Sequence, residues 1–192
     1  MTGPIAFSCR CGSVRGTLDP SDGVHIRCFC RSCAGAARLS GADPEGSGVA
    51  LFQTTPDRMR FEAGRELIEP FRFFRRSFVR RWRTTCCGDV LFSSGDSPFW
   101  PVAGPVDRIL ADAAPLGPEK VHAFLPPRRP GGRQRHEGVG HLAYQLVRRT
   151  AAAQLHRAWR ADPLRGPDGR YPPERSATPE ELRRAFPDGL PE

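Results

Sequence analysis

The seven cysteines of this 192-residue chain fall into three short clusters, and none of them stands alone. Zinc takes four thiolates in closed structural sites and three protein ligands in sites that keep a fourth position for chemistry. Two clusters of two cysteines and one of three therefore predict a closed, structural metal site and an open, reactive one. The expected ligands of the first are Cys9, Cys11, Cys86 and Cys87, and those of the second are Cys28, Cys30 and Cys33.

Disulfide bonds are the main alternative to metal binding. Residues 1–30 show no basic segment followed by an apolar run, so we expect no secretory signal. In a reducing cytosol, close-spaced cysteines are more often metal ligands or redox groups than disulfides. An odd number of cysteines also cannot all be paired in disulfides within one chain. No apolar stretch approaches the roughly 20 residues of a membrane span. We expect a soluble cytoplasmic protein that binds metal and makes no use of a membrane.

Residues 1–110 have the pattern of short strands separated by turns. Eight such segments carry β-branched and aromatic residues, which favours a mainly β protein built on antiparallel sheet, with each cysteine cluster at a strand end or in the following turn. The predicted strands are Ile5–Ser8, Val14–Leu18, Val24–Arg27, Val49–Thr54, Met59–Glu62, Leu67–Phe74, Phe78–Thr85 and Val90–Ser93. We interpret 1–110 as a zinc-binding β domain.

The rest of the chain is different in character. Residues 111–137 are rich in Pro, Gly and Arg and are expected to form a connector, with Val121–Leu125 as one further edge strand. Residues 138–192 are expected to form a C-terminal helix and tail, the helix running from about Gly140 to Arg160 on the spacing of its apolar residues.

A second, shorter helix is predicted in the tail. Thr178 precedes Pro179, and Glu181 stands at the third helical position, which is the pattern of a capping box.

The formal net charge is +8, and since Lys120 is the only lysine, almost all of the basicity is arginine. The densest part, residues 72–83, is called here the arginine run; it alternates arginines with phenylalanine and tryptophan. Basic and aromatic residues together are typical of single-strand nucleic-acid binding. The other interpretation is a pair of strands with an aromatic core face and solvated arginines. We favour this second interpretation, because no known nucleic-acid motif accompanies the run.

The fourth ligand of the open site is left undecided by the spacing. Water, a substrate sulfur or His25, on the strand that leads into the middle cluster, are the alternatives. The remaining histidines are expected in structural or solvated roles. No Ser/His/Asp order, phosphate-binding glycine loop or H-E-x-x-H helix is present, so catalysis has to depend on the metal.

The three clusters together resemble a known family. Cys9-x-Cys11-Gly12-x-Val14-x-Gly16, the middle triplet, and a distal pair ending in Cys87-Gly88 are similar to the glutathione-dependent formaldehyde-activating family, which includes centromere protein V. The resemblance covers about residues 5–110 and implies a zinc-bound antiparallel β-tent. It also implies that the first and last pairs hold a structural zinc and that the middle triplet holds a catalytic one. The reaction ascribed to the family joins formaldehyde and glutathione to S-hydroxymethylglutathione, a carbon–sulfur lyase reaction.

One departure from the family pattern concerns the last pair, which in the family reads C-x-x-C-Gly. Thr84 stands where the first of these cysteines belongs, and Cys86 adjoins Cys87 instead. Since adjacent residues of a strand point to opposite faces, both cysteines can bind one ion only if the chain turns sharply there, with help from Gly88. The segment after residue 110 has no counterpart in the short catalytic members.

Two classes of function follow. The first is a zinc-dependent carbon–sulfur lyase in which the middle triplet is catalytic and a small thiol such as glutathione binds the open metal. Arg31 or arginines between Arg75 and Arg83 then pair with the carboxylates of the thiol. The second is a zinc-stabilised module that binds nucleic acid or another acidic partner through a basic, aromatic surface.

Overall fold

The structure is a computed structural model that describes residues 3–44, 46–95, 104–129 and 131–190. Within these ranges the protein is mainly β, as predicted. The strands are β1 (Ile5–Ser8), β2 (Arg15–Leu18), β3 (Val24–Cys28), β4 (Val49–Gln53), β5 (Met59–Ala63), β6 (Ile68–Arg72), β7 (Val79–Thr84), β8 (Val90–Gly95), β9 (Val121–Leu125), β10 (Arg135–Glu137) and β11 (Arg175–Ser176). The helices are α1 (Arg31–Leu39), α2 (Val139–Leu155) and α3 (Pro179–Ala185).

The strands form three small sheets. Their orders are β1-β2-β5, β10-β9-β3-β4 and β11-β6-β7-β8. Most neighbours are antiparallel, but β9 runs parallel to β3 and β11 runs parallel to β6. The second sheet carries the middle cysteine cluster at the end of β3, and the third carries the last cluster after β7. Segments after residue 110 contribute strands to two of the three sheets, and the predicted boundaries at residues 110 and 137 stay a prediction.

The eight strands expected before residue 110 all form, with ends within two residues of those expected. The strand Val121–Leu125 also forms, but its expected position at a sheet edge is wrong. It lies between β3 and β10, because the short segment Arg135–Glu137 pairs with its other side. The pattern of a three-residue strand is too short to be recognised in the sequence.

Helix α1 was not expected from the sequence, which suggested only a tight turn at the middle cluster. Its alanines favour helix, and residues at helical spacing, among them Cys33, Ala36 and Ala37, are buried on one face. Helix α2 ends at Leu155 and not near Arg160, since a separate 3₁₀ turn follows it at Ala158–Ala161.

A cluster of aromatic rings joins the first and third sheets. Phe7, Phe61 and Phe92 meet edge to face with ring centroids 5.3 to 5.9 Å apart, and Trp82 of β7 is fully buried beside them. Edge-to-face aromatic pairs contribute about 0.5–1.5 kcal/mol each beyond the burial of their area. This core holds the ends of β1 and β7 in place, and those ends carry the first and last cysteine clusters.

The C-terminal tail packs against α1. Ala185 and Phe186 lie against Ala36 and Leu39 of that helix. The approach is close at Gly35, where an added Cβ would stand 2.9 Å from the Phe186 ring. The tail therefore supports the helix that carries Cys33.

The predicted capping box of α3 is confirmed. The Thr178 hydroxyl accepts a hydrogen bond from the Glu181 N–H at 3.2 Å, and the Glu181 carboxylate accepts one from the Thr178 N–H at 2.8 Å. Two backbone donors that the first turn of a helix leaves unpaired are satisfied in this way.

Candidate metal centres

The first and last cysteine clusters come together in one group of four, called here the four-cysteine centre. The Sγ atoms of Cys9, Cys11, Cys86 and Cys87 all lie within 4.8 Å of one another. The Cys9–Cys11 distance is 3.5 Å, and the Cys11–Cys86 distance is 3.4 Å. A disulfide has a sulfur–sulfur distance of about 2.05 Å, so these thiols are close without being bonded. Such a group can hold a metal ion.

A sharp turn after β7 brings the adjacent residues Cys86 and Cys87 to the same centre. The Gly88 N–H donates to the Thr84 carbonyl at 3.1 Å, and Gly88 has a φ of +76°, which glycine adopts without steric cost. The Thr84 hydroxyl lies 3.3 Å from the Cys87 sulfur. Thr84 therefore touches the centre without adding a sulfur, and Cys86 supplies the fourth one.

The thiols of the four-cysteine centre differ in acidity. Burial raises the pKa of Cys9 to about 12. The exposed Cys11 lies 3.4 Å from the Ser13 hydroxyl, and hydrogen bonding to Ser13 lowers its pKa to about 6. Cys11 therefore ionises more readily than Cys9, and a metal ion would take the place of the proton that Cys9 holds.

The middle cluster forms a second group, called here the three-cysteine centre. The Sγ atoms of Cys28, Cys30 and Cys33 lie within 4.8 Å of one another, and Cys28 and Cys33 are buried. Cys28 ends β3, Cys30 caps the N-terminus of α1, and Cys33 lies in the first turn of that helix. The Cys33 N–H donates to the Cys30 sulfur at 3.3 Å. The positive end of a helix favours thiolates.

His25 is turned away from the three-cysteine centre. Its Nδ1 lies 2.8 Å from the Gly117 carbonyl oxygen, and its Nε2 lies 3.9 Å from Glu119. Within the described parts of the chain, neither metal-capable group contains a histidine. The three-cysteine centre can therefore supply three protein ligands to a metal ion.

Arg81 of β7 stands beside the three-cysteine centre. Its Nη2 lies 3.7 Å from the Cys33 sulfur and donates to the Ser32 hydroxyl at 2.9 Å, while Nη1 donates to the Ser93 hydroxyl at 2.5 Å. Hydrogen bonds from Cys28 and Cys30 hold the pKa of Cys33 well below its usual range, and the Arg81 charge lowers it further. Sequence analysis placed Arg81 in the arginine run but did not connect it with these cysteines.

A cavity of about 440 Å³ opens directly onto the three-cysteine centre. Ile26, Leu51 and Val79 contribute to its apolar wall, and the aromatic rings of Phe78 and Phe124 also line it. Ligand pockets in proteins have volumes of this order and are mostly apolar, with a few polar groups. The centre thus lies beside a space that accommodates a small molecule.

Most arginines of the arginine run are bonded within the protein. Arg72 and Arg80 both pair with Glu174, at 2.6 and 3.0 Å. Arg83 pairs with Glu181 and lies 3.3 Å from Glu69. The interpretation that the run belongs to strands is confirmed for its second half, which forms β7, but these arginines are paired with acidic side chains and not simply solvated.

The pairing of two tail carboxylates with these arginines was not expected from the sequence. Glu174 and Glu181 lie about a hundred residues beyond the arginines that they neutralise. Arg31, expected to face a thiol substrate, donates to the backbone carbonyls of Gly189 and Leu190 instead. The tail therefore takes up guanidinium groups that sequence analysis had assigned to a ligand.

None of the helices in the described ranges combines the length and apolarity that a membrane crossing requires.

Comparisons with known proteins give one family. None of the curated proteins matches the chain. The crystal structure of a Rhodobacter sphaeroides protein is similar over 59% of this chain and 96% of that chain, with 18% identity and a TM-score of 0.41. Residues 1–126 match a family of unknown function, DUF6151, and this stretch contains all seven cysteines. Because it is about two thirds of the 192 residues, the chain belongs to the DUF6151 family of unknown function.

Proposed function

We propose that this protein is a zinc-dependent carbon–sulfur lyase that acts on the S-hydroxymethyl adduct of a small thiol, in a zinc-bound β-tent like that of the glutathione-dependent formaldehyde-activating family. The four-cysteine centre holds a structural zinc, and the three-cysteine centre holds the catalytic one. The observation that carries this proposal is the position of three clustered cysteine sulfurs at the wall of a 440 Å³ cavity.

The donor atoms of both centres fit zinc. Tetrahedral zinc with bonds of about 2.3 Å to sulfur separates its ligands by about 3.8 Å. The sulfur–sulfur separations of 3.5 Å for Cys9–Cys11, 3.9 Å for Cys9–Cys86 and 3.4 Å for Cys28–Cys30 lie near that value. An all-sulfur set selects zinc, copper(I) or iron–sulfur clusters, and sulfur separations near 3.8 Å fit a single zinc ion.

The two centres differ in the number of protein ligands. Four sulfurs complete a tetrahedron in the first, which supports a structural role. Three sulfurs in the second leave room for a further ligand, and the cavity opens onto these sulfurs. A zinc held by Cys28, Cys30 and Cys33 would supply the Lewis acidity that stabilises negative charge on a departing thiolate.

The proposed reaction converts the adduct into a thiol and formaldehyde. The bond between sulfur and the hydroxymethyl carbon breaks, and its electron pair stays on sulfur. The hydroxyl group loses its proton as the carbonyl forms, and the sulfur takes up one proton on release. The balance needs no oxidant, reductant or second substrate.

The chain's own residues orient the centre and shield it. Arg81 donates toward the Cys33 sulfur and favours its thiolate form, and Ser32 and Ser93 hold the guanidinium in that position. The hydroxyl proton passes to solvent water. Leu51 and Val79 limit the access of further water to the sulfurs.

Cobalt substitution tests this proposal. In cobalt-loaded protein, glutathione or another small thiol should shift the thiolate-to-metal absorption bands, and Cys30→Ser should abolish the shift. Cys86→Ser, which removes a sulfur from the other centre, should keep the shift at a temperature where the variant is folded. The loaded zinc protein should release formaldehyde from the S-hydroxymethyl adduct of a thiol that gives this shift, and Cys30→Ser should not. Absence of both responses in folded, metal-loaded protein would refute the proposal.

Nucleic-acid binding is the second candidate, and it has less support. Arg72, Arg80 and Arg83 are held by carboxylates of the same chain, which leaves them less able to contact phosphates. If a single-stranded oligonucleotide raised the melting temperature while thiols left it unchanged, the binding module would replace the enzyme as the better proposal.

A further inference from the structure

The cavity beside the three-cysteine centre has walls unlike those that a charged peptide thiol requires. Arg81 is the one permanently charged side chain among its described lining residues, and it is buried with both Nη atoms already donating to serines. Glutathione carries two carboxylates and one ammonium group, and buried charges need partners. The described lining residues offer no second cation and no carboxylate to pair with them.

The polar side chains of the wall are bonded to the protein. The Ser94 hydroxyl accepts from the Trp82 ring N–H at 2.9 Å, and the Gln53 amide oxygen accepts from Arg149 at 2.9 Å. Ser77 accepts from the Val79 N–H at 3.1 Å. Ser32 and Ser93 both hold Arg81. What remains toward the cavity is mainly apolar surface from aliphatic and aromatic side chains.

An irregularity in the second sheet places Phe124 beside the cavity. Between the pairs His122–Glu137 and Leu125–Arg135, strand β9 has two residues where β10 has one, so β9 contains a β-bulge. Phe124 in this bulge has a φ of +60°, a conformation that costs a residue with a side chain on the order of 1 kcal/mol. Bulges beside active sites re-aim side chains, and strained residues gather at ligand clamps.

Two further contacts and a second ring define the mouth of the cavity. The Phe124 N–H donates to His136 Nδ1 at 3.2 Å, and the two rings meet edge to face at 5.0 Å. Phe78 also lines the cavity and is 75% exposed, which is unusual for so large an apolar side chain. Two partly exposed aromatic rings thus stand beside an apolar cavity that ends at three sulfurs.

We propose that the thiol handled at the three-cysteine centre carries an apolar group, aromatic or branched aliphatic, and that Phe124 and Phe78 determine this specificity by packing against it. The inference rests on the proposed function, since it names the substrate class of the same site. The sulfur end of the substrate faces Cys28, Cys30 and Cys33, and the apolar group lies between the two rings and the wall formed by Leu51 and Val79.

The experiment compares phenylmethanethiol with glutathione on zinc- and cobalt-loaded full-length protein, by calorimetry and by the cobalt bands. Phenylmethanethiol should bind about tenfold or more tightly than glutathione, since a well-fitted apolar group in a pocket is worth at least that factor. Equal or tighter binding of glutathione, with a cobalt response, overturns this inference and leaves the proposed function standing.

Phe124→Gly is the decisive variant, because glycine adopts a positive φ without strain and the change therefore adds no steric strain to the folded backbone. It should raise the Kd of phenylmethanethiol about fivefold or more through lost aromatic contact and leave that of glutathione within about twofold. Arg157→Gly is the matched control: Arg157 is the other described non-glycine residue with a positive φ, at +51°, and it does not line the cavity. It should leave both Kd values unchanged. Phe78→Ser, at an exposed position, should act in the same direction as Phe124→Gly.

Phenylmethanol separates the cavity from the metal, since it keeps the ring and lacks the sulfur. Its binding, measured by calorimetry, should also weaken in Phe124→Gly. Ring-dependent binding of phenylmethanol without any cobalt response to thiols would overturn the proposed function, and with it the thiol as ligand, and would leave only the role of the rings in binding an apolar group. Binding of phenylmethanethiol that is the same in wild type, Phe124→Gly and Phe78→Ser overturns the assignment of the rings.

Discussion

The carboxylate of Asp89 accepts a hydrogen bond of 2.7 Å from the backbone N–H of Arg10. Arg10 lies between Cys9 and Cys11, and Asp89 follows Cys87 by two residues. This bond therefore joins the two halves of the four-cysteine centre through the protein alone. Asp89 is 2% exposed at its side chain, and the Arg10 guanidinium lies 3.8 Å from its other oxygen.

Asp89→Ala should lower the free energy of unfolding by about 2–3 kcal/mol, because it leaves the Arg10 N–H without its charged acceptor. Urea denaturation measures the change. Asp112→Ala is the control: Asp112 is exposed and accepts one backbone N–H, from Ala114 at 2.9 Å, and its loss should cost well under half as much. Equal effects of the two substitutions would contradict a special role for the Arg10–Asp89 bond.

Metal analysis should give two zinc ions per chain in protein purified without chelators. Cys33→Ser should lose one ion from the three-cysteine centre, and Cys87→Ser should lose one from the four-cysteine centre, each keeping the other. Mass spectrometry under native conditions distinguishes the two single-zinc forms from wild type. Well under one ion per chain, with cysteines oxidised in pairs, would rule out both centres.

Cys11→Ser should lower the melting temperature more than Cys33→Ser. The Cys11 and Cys86 sulfurs are 75 residues apart in sequence, so a metal that joins them closes a long loop in the unfolded chain. By analogy with the loss of a disulfide, the decrease should be about 10 °C for Cys11→Ser and a few degrees for Cys33→Ser. Cys86→Ser should resemble Cys11→Ser. A small effect of Cys86→Ser would indicate that Cys87 alone completes the centre.

Glu174→Ala should destabilise the protein by about 3 kcal/mol, because Arg72 and Arg80, with side chains 6% and 10% exposed, lose the carboxylate that they share. Asp43→Ala is the matched control: Asp43, half exposed, pairs with Arg38 at 3.2 Å, and such a surface pair contributes about 0–1 kcal/mol. The difference between the two variants in urea denaturation is the quantity to measure. No difference would mean that the buried arginines are satisfied without Glu174.

Glu181 should make stability depend on pH in the acid range. Hydrogen bonds from Arg175 lower the pKa of Glu181 in the folded protein to about 2, against an ordinary value of about 4.5. Between these values the unfolded chain binds more protons than the folded one. The contribution of Glu181 is therefore complete above about pH 5 and falls away as the pH drops toward 2.

The test compares wild type with Glu181→Gln across this range, so that any effect of acid on the cysteine centres is common to both proteins. Glu181→Gln should be less stable by about 1–2 kcal/mol at pH 7, because a neutral amide loses the charged hydrogen bonds with Arg175 and Arg83, and the gap should narrow below pH 4. Glu180→Gln, on the exposed side of the same helical turn, should show almost no gap at any pH. A difference in unfolding free energy between wild type and Glu181→Gln that does not change with pH would contradict a lowered pKa of Glu181 in the folded protein.

Much of the local structure could be predicted from the residues. The strands before residue 110 follow from runs of β-branched and aromatic residues, and the capping box at Thr178 and Glu181 follows from two side chains three positions apart. The grouping of the cysteines also indicated which would meet, since two short turns and one distant pair leave few ways to build thiolate centres. In each case the determining interactions lie within a few residues, or the ligands are chemically distinctive.

Tertiary structure decided the ligands of the four-cysteine centre, the partners of the arginines and the shape of the cavity, because each of these depends on residues far apart in the chain. Whether Cys86, Cys87 or both would reach the four-cysteine centre was set by the turn at Gly88 and the packing of β7. The partners of Arg72, Arg80 and Arg83 came from a tail about a hundred residues later, and charge alone does not indicate which carboxylate will neutralise a given arginine. The cavity beside Cys33 exists because β3, β7, β8 and the bulge at Phe124 converge there. A local sequence pattern indicates which face of a strand is buried. The size and lining of a cavity between sheets depend on how all the sheets pack together.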